Sequence, residues 1–177
     1  MDYSGGMRCS VYIAVSADGF IARKDGGIDW LHAVAQEGED YGYQAFFDSV
    51  DGLVLGRKTY EVAASFEAWP YAGKRCVVLS HRGGEPRHGE EFWSGSPAVL
   101  VEKLRGEGLR HLYVDGGDVI RQFLSQGLIQ ELTLSVIPIL LGDGLPLFGP
   151  GGREQRLELI SSRSWPTGLA QLKYRVG

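Results

Sequence analysis

A chain of 177 residues, with 18 Lys and Arg against 22 Asp and Glu, has the length for one domain with its own core, and its net charge of -4 offers no basic field for nucleic acid. Its two cysteines, Cys9 and Cys76, sit in apolar runs without CxxC or Cys/His ligand spacing and read as small buried hydrophobes in a reducing cytoplasm. No stretch is long and apolar enough to span a bilayer, and the start lacks the basic-then-apolar pattern of an export signal.

Residues 1–7 are polar and Gly-rich and read as a flexible extension ahead of a single domain, 8–177, with Met7 available as a second start. Over residues 9–16, Val11, Ile13 and Val15 share one face and Tyr12 and Ala14 the other, which predicts a central strand covered on both sides. Asp18-Gly19 and Asp25-Gly26-Gly27 bracket a turn-rich loop that closes on Ile28-Asp29-Trp30-Leu31. From about residue 39 to 50, Tyr43, Phe46, Phe47 and Val50 recur at helical spacing.

A strand over 53–56 follows, then a helix over 58–65 that Trp69-Pro70 stops, then a strand over 74–80. Residues 81–95, rich in Gly, Pro, His and charge, read as an exposed connection, and Ser96-Pro97 opens a helix through Val101 and Leu104. The strand 110–115 runs into Gly116-Gly117 and a helix with Val119, Ile120, Phe123 and Leu124 on one face, ended by Gly127. Strands follow over 132–137, 156–162 and 169–176, the last two as an antiparallel hairpin. Strands alternating with helices, then strands alone, predict an α/β fold: a mainly parallel central sheet flanked by helices, with an antiparallel C-terminal strand pair.

Three apolar runs end on small or phosphate-seeking residues: Gly56-Arg57-Lys58-Thr59, Ser80, and Asp115-Gly116-Gly117-Asp118. Ligands of open α/β sheets collect beyond the carboxyl ends of the strands, and helix N-termini favour anions, so these endings point to an extended phosphate-bearing ligand, best a dinucleotide. Arg57 offers a planar multi-donor fork and Thr59 a hydroxyl at a helix start. The spacing is not that of a Walker loop, and the full GxGxxG fingerprint is absent. The four histidines show no metal-ligand spacing, so no metal site is expected.

Ser16-Ala17-Asp18-Gly19-Phe20-Ile21-Ala22, Asp29-Trp30-Leu31, Gly56-Arg57-Lys58-Thr59-Tyr60-Glu61, Val78-Leu79-Ser80 and Gly116-Gly117 together resemble the dihydrofolate reductase superfamily over nearly the whole chain. The segment from Pro138 through Gly142-Asp143-Gly144 to Phe148 is similar to a bacterial branch related to the C-terminal reductase domain of the riboflavin-biosynthesis deaminase/reductase.

That resemblance implies a dihydrofolate-reductase-like fold, NADPH as cofactor, and a small-molecule substrate of pterin or ribosylaminopyrimidine type. It places Ala14 near the nicotinamide, Gly56, Arg57, Lys58 and Thr59 at the 2′-phosphate and pyrophosphate, and Ser80 and His81 on the adenosine side. Gly116, Gly117, Asp118, Val119 and Ile120 fall on the pyrophosphate and nicotinamide half. Asp40 occupies the position of the substrate carboxylate, with Glu37 and Glu39 as competitors and simple capping of a helix as the plain alternative. Trp30, Phe46 and Tyr60 are candidates for the substrate wall, or else core. A homodimer formed around residues 138–148 and the strand after them is also implied. Competing readings are a riboflavin-pathway uracil reductase proper and a nucleotide-binding module without turnover.

Overall fold

The computed structural model describes residues 6–177. In chain order the elements are β1 (Arg8–Ser16), β2 (Phe20–Ala22), α1 (Tyr43–Ser49), β3 (Gly52–Gly56), α2 (Arg57–Ala64), β4 (Arg75–Leu79), β5 (Glu91–Trp93), α3 (Pro97–Gly106), β6 (His111–Asp115), α4 (Gly117–Ser125), β7 (Glu131–Ile137), β8 (Leu145–Pro146), β9 (Leu157–Ser164) and β10 (Ala170–Val176). A single 3-10 segment, Asp29–Val34, lies in what the sequence marks as loop.

Side-chain alternation decides which element covers which face. Leu53 and Leu55 of β3, Cys76 and Val78 of β4 and Tyr113 of β6 point to one side, where Tyr60 and Ala63 of α2 meet them. Val54, Val77, Leu112 and Val114 point to the other, against Leu100 and Leu104 of α3 and Ile120 and Phe123 of α4. Every second residue is therefore claimed by a different core, which is why these strands are apolar throughout.

The sheet order is β5-β4-β3-β6-β1-β7-β10-β9. β1, β3, β4, β5, β6 and β7 pair in parallel, and β10 runs antiparallel to both β7 and β9, as the pattern of elements predicts. β2 and β8 form a separate two-stranded ribbon. Asp18 ties the base of that ribbon, accepting the Leu141 and Gly142 N–H groups at 3.1 and 2.8 Å.

Three boundaries differ from the sequence expectation. Met7 is 9 % exposed and packs in the main core, so the domain takes it in, while residues 1–5 of the expected extension lie outside the described residues. α1 starts at Tyr43 instead of near residue 39, because Tyr41 and Gly42 adopt φ of 56° and 86° and turn the chain there. β5 falls inside the expected connection, since three residues are too few for a periodicity to register.

The 84–90 loop is organised by Glu90, a carboxylate only 3 % exposed. It accepts the Tyr60 hydroxyl at 2.5 Å and the Arg87 and His88 N–H groups at 2.8 Å. Burial pushes its pKa up, but these bonds outweigh burial and hold it at about 2. A depressed folded-state pKa contributes stability that is present above the unfolded value near 4.5 and is lost as pH falls through about 2. Glu90→Gln is expected to cost about 2–3 kcal/mol at neutral pH, with the gap to wild type closing as the acid is titrated. Urea unfolding at neutral and acid pH checks this, and a constant gap would disprove the assignment.

Candidate active site

β3 and β6 are neighbours in the sheet, yet the helices that follow them leave to opposite faces, α2 toward the Leu53 side and α4 toward the Val54 side. A crevice must open where they part. It forms a cleft of about 990 Å³ running over the carboxyl ends of β4, β3, β6 and β1.

At its centre the starts of α2 and α4 converge. Their caps, Gly56 and Gly116, make no side-chain hydrogen bond to either helix, so the first N–H groups of both helices remain open to an anion. Gly116 has φ of 100°, and a Cβ there would stand 2.9 Å from Thr59 Oγ1 and 3.2 Å from the Gly56 nitrogen. Only glycine leaves the two backbones this close, so the starts of the two helices face one cradle.

Beyond the cradle, Arg57 Nε donates to Ser80 Oγ at 3.0 Å and its Nη2 to the Gly83 carbonyl. Its guanidinium lies 5.7 Å from the centre of the Phe92 ring, and Glu61 is 3.9 Å from Nη1. These contacts fix the guanidinium in the cleft lining, beside exposed Lys58 and His81. Ala14, Thr59, Gly117, Asp118 and Val119 complete the expected lining. Ile120 does not belong to it: wholly buried, it packs in the same core as Val119 but does not reach the cleft.

The expected substrate residues need more correction. Asp40 is exposed and outside the cleft, where its two oxygens each accept an N–H at 2.9 Å, from Gly42 and Gln44. These bonds at the start of α1 lower its pKa, so it is a helix cap and not the reacting carboxylate. Glu39 accepts the Tyr41 N–H and the Trp165 indole, and Glu37 is exposed. Trp30, 3 % exposed, sits in a core cluster with Val34, Ile137, Trp165 and Leu169. Phe46 stacks behind Tyr12 with ring centres 5.1 Å apart, and Tyr60 is spent on Glu90.

Besides Glu61 and Asp118, the carboxylate in the cleft lining is Asp115, the last residue of β6 and the one whose surroundings are tyrosines. It accepts the Gly116 N–H at 2.9 Å. Four tyrosines surround it in the lining: Tyr12, Tyr43, Tyr71 and Tyr113. Desolvation pushes its pKa up to about 6, against the opposing pull of the Gly116 N–H and the Tyr113 hydroxyl. Burial and the Asp115 charge raise Tyr43 to about 12 and raise Tyr71 and Tyr113 as well, so all stay neutral donors. Tyr12 is fixed by donating to the Tyr41 carbonyl at 2.6 Å while accepting from Gln171 of β10. Asp115 was in view in the sequence as a carboxylate closing an apolar strand, a signal masked by the glycines that follow it.

The profile of the RibD C-terminal domain matches residues 10–170. The uncharacterized protein YwjB of Bacillus subtilis (strain 168) is 36 % identical over 169 residues, 93 % of this chain and 95 % of YwjB. A structure from Shewanella sp. PV-4, named for riboflavin biosynthesis, is 38 % identical with a TM-score of 0.90, covering 97 % of this chain and 99 % of that one. The Thermotoga maritima diaminohydroxyphosphoribosylaminopyrimidine deaminase/5-amino-6-(5-phosphoribosylamino)uracil reductase shares the fold at 12 % identity, with a TM-score of 0.74 over 97 % of this chain and 57 % of that one.

Proposed function

Because this chain belongs to the RibD C-terminal domain family, with its dihydrofolate-reductase-like fold, we propose that it is an NADPH-dependent oxidoreductase acting on a small planar heterocyclic or carbonyl substrate. The observation that carries the reading is the meeting, in one cleft, of a two-helix anion cradle and an acid poised near neutrality.

The residues fit the nucleotide. Gly56, Thr59, Gly116 and Gly117 would take the pyrophosphate, and Arg57 and Lys58 the 2′-phosphate. Ser80 and His81 would border the adenosine, and Ala14 the nicotinamide, with Asp118 and Val119 beside it. When bound, NADPH supplies a hydride. The chain's part is to hold the acceptor flat among the tyrosines, exclude water and deliver a proton from Asp115 to the substrate heteroatom. With a pKa near 6, about one-tenth of Asp115 is protonated at pH 7, enough to act without strong acid.

The test is a fluorescence titration with NADPH and NADH, followed by NADPH oxidation against a panel of pterins, aminopyrimidines and aromatic carbonyls. Preferential NADPH binding with turnover is the expected result. Binding without turnover by any acceptor would favour a nucleotide-binding module, and failure of folded protein to bind either nucleotide would end the reading.

A second copy of the chain is the proposed macromolecular partner. β9 is a sheet-edge strand exposed along its whole length, and it presents Leu157, Leu159 and Ile160 at 45, 53 and 42 % exposure. Two such edges related by a two-fold axis would cover each other. Sedimentation at micromolar concentration should give a dimer that Leu159→Lys dissociates; a wild-type monomer would refute it. Buried, unpaired Cys9 and Cys76 fit the proposed cytoplasmic location. Among the described residues no helix is long and apolar enough to cross a membrane.

A further inference from the structure

The tyrosines that line the cleft with Asp115 are not equivalent. A phenol has one proton to donate, and in Tyr12, Tyr113 and Tyr43 the hydroxyl is engaged by the protein itself. Tyr12 donates to the Tyr41 carbonyl at 2.6 Å. Tyr113 donates to the Tyr12 carbonyl at 3.2 Å and has Tyr43 and Asp115 within hydrogen-bond reach. Tyr43 pairs with that Tyr113 hydroxyl.

The Tyr71 hydroxyl has no hydrogen-bond partner among the described residues, although the residue is only 8 % exposed and lines the cleft. Nor is that hydroxyl sealed away, because among the described residues the fully buried polar side-chain atom left without a partner is Trp30 Nε1. The Tyr71 ring is fixed from behind. It stands edge-to-face with Trp69, ring centres 5.2 Å apart, and 6.3 Å from Phe47, while Trp69 is itself stacked on His88 at 4.5 Å. Burial and then the Asp115 charge push the Tyr71 pKa up, so the hydroxyl keeps its proton and feels the acid across the cleft. A rigid, largely desolvated donor with no acceptor in the protein is placed to serve a ligand at no cost of reorganisation.

From this arrangement we infer that Tyr71 hydrogen-bonds the oxygen of a carbonyl substrate and stabilises the negative charge that reduction builds there. This role rests on the reductase reading and narrows it to substrates whose reacting group carries oxygen. In the step, the carbonyl carbon takes the hydride from NADPH, the C=O π pair moves onto oxygen, and that oxygen takes the Asp115 proton, which water replaces. A carbonyl oxygen has two lone pairs, one for Asp115 and one for Tyr71. The Tyr71 bond strengthens as the charge develops, so it favours the transition state over the bound substrate.

The experiment follows NADPH oxidation with 4-nitrobenzaldehyde as the probe, beside thermal melts and a fluorescence titration with NADPH. Tyr71→Phe should lower kcat/KM for the aldehyde by about 10–100-fold, chiefly in kcat, because a bond to a charged oxygen is what is lost. Its Tm should stay within about 2 °C of wild type and its NADPH affinity should not change, since no bond within the protein disappears. Tyr12→Phe, which loses the bonds to Tyr41 and Gln171, should instead melt several degrees lower. An unchanged kcat/KM in Tyr71→Phe, or a loss confined to KM, would overturn the assignment, as would a fall in Tm matching that of Tyr12→Phe. Wild-type protein that binds NADPH but does not reduce the aldehyde would overturn it too, with the nucleotide reading left standing. Failure to bind NADPH would sink both.

Discussion

Asp115→Asn is expected to lower kcat by about 10²–10⁴ while leaving NADPH affinity unchanged, since the amide keeps the shape of the side chain but has no acidic proton to give. The pH profile should change with it. In the wild type the donor form of Asp115 is lost as pH rises through about 6, so kcat falls above that value. In the variant this limb should disappear.

The same substitution should stabilise the protein. A carboxyl whose pKa rises from 3.8 to about 6 on folding binds more protons folded than unfolded between those values. Its folding stability is therefore greatest below 3.8, falls as pH rises to about 6 and stays lowered above it. A shift of about two units corresponds to at most about 3 kcal/mol at neutral pH, a cost that Asn does not incur. Single-turnover kinetics and thermal melts from about pH 4 to pH 8 read both effects. An unchanged kcat profile would remove Asp115 from the chemistry, and a less stable variant at pH 7 would contradict its environment.

Arg57→Ala is expected to raise the dissociation constant for NADPH by about 10–100-fold and that for NADH by little, because a charge-assisted bond to a phosphate is worth about 1.5–3 kcal/mol. Arg57 also holds Ser80 and Gly83 together, so its loss could loosen the β4 end as a whole. The ratio of the two nucleotides separates the roles: loosening weakens both alike, whereas loss of a 2′-phosphate contact weakens only NADPH. Equal effects would withdraw the assignment. Arg57→Lys, which keeps the charge without the planar fork, should fall between wild type and Ala.

The two helix starts that meet in the cleft were legible in the residues because their determinants are local. Gly56-Arg57-Lys58-Thr59 and Asp115-Gly116-Gly117 each contain a strand end, a permissive backbone and a helix start within a few positions. Such segments carry their own geometry wherever they are placed. Ile120 lies outside the cleft because the core claims its side chain completely, which a motif boundary does not encode.

The substrate half was misjudged because its determinants are not local. Asp40 has the composition and sequence position of a reacting carboxylate, yet positive φ at Tyr41 and Gly42 turns it back onto α1. Trp30 lies in a loop next to the ribbon, yet its partners Trp165 and Leu169 come from the far end of the chain.

By itself the sequence determined the α/β class, the faces of the strands and the two glycine-led helix starts, since period-2 and period-3.6 patterns and glycine's missing side chain act over a few residues. Only the tertiary structure decided that Asp115, and not Asp40, faces the cleft. It does so because β6 inserts between β3 and β1, setting Tyr113 beside Tyr12 across 101 positions, where their hydroxyl-to-carbonyl distance is 3.2 Å. The pKa of Asp115 depends on the desolvation those distant neighbours impose, and strand order is what brings them together.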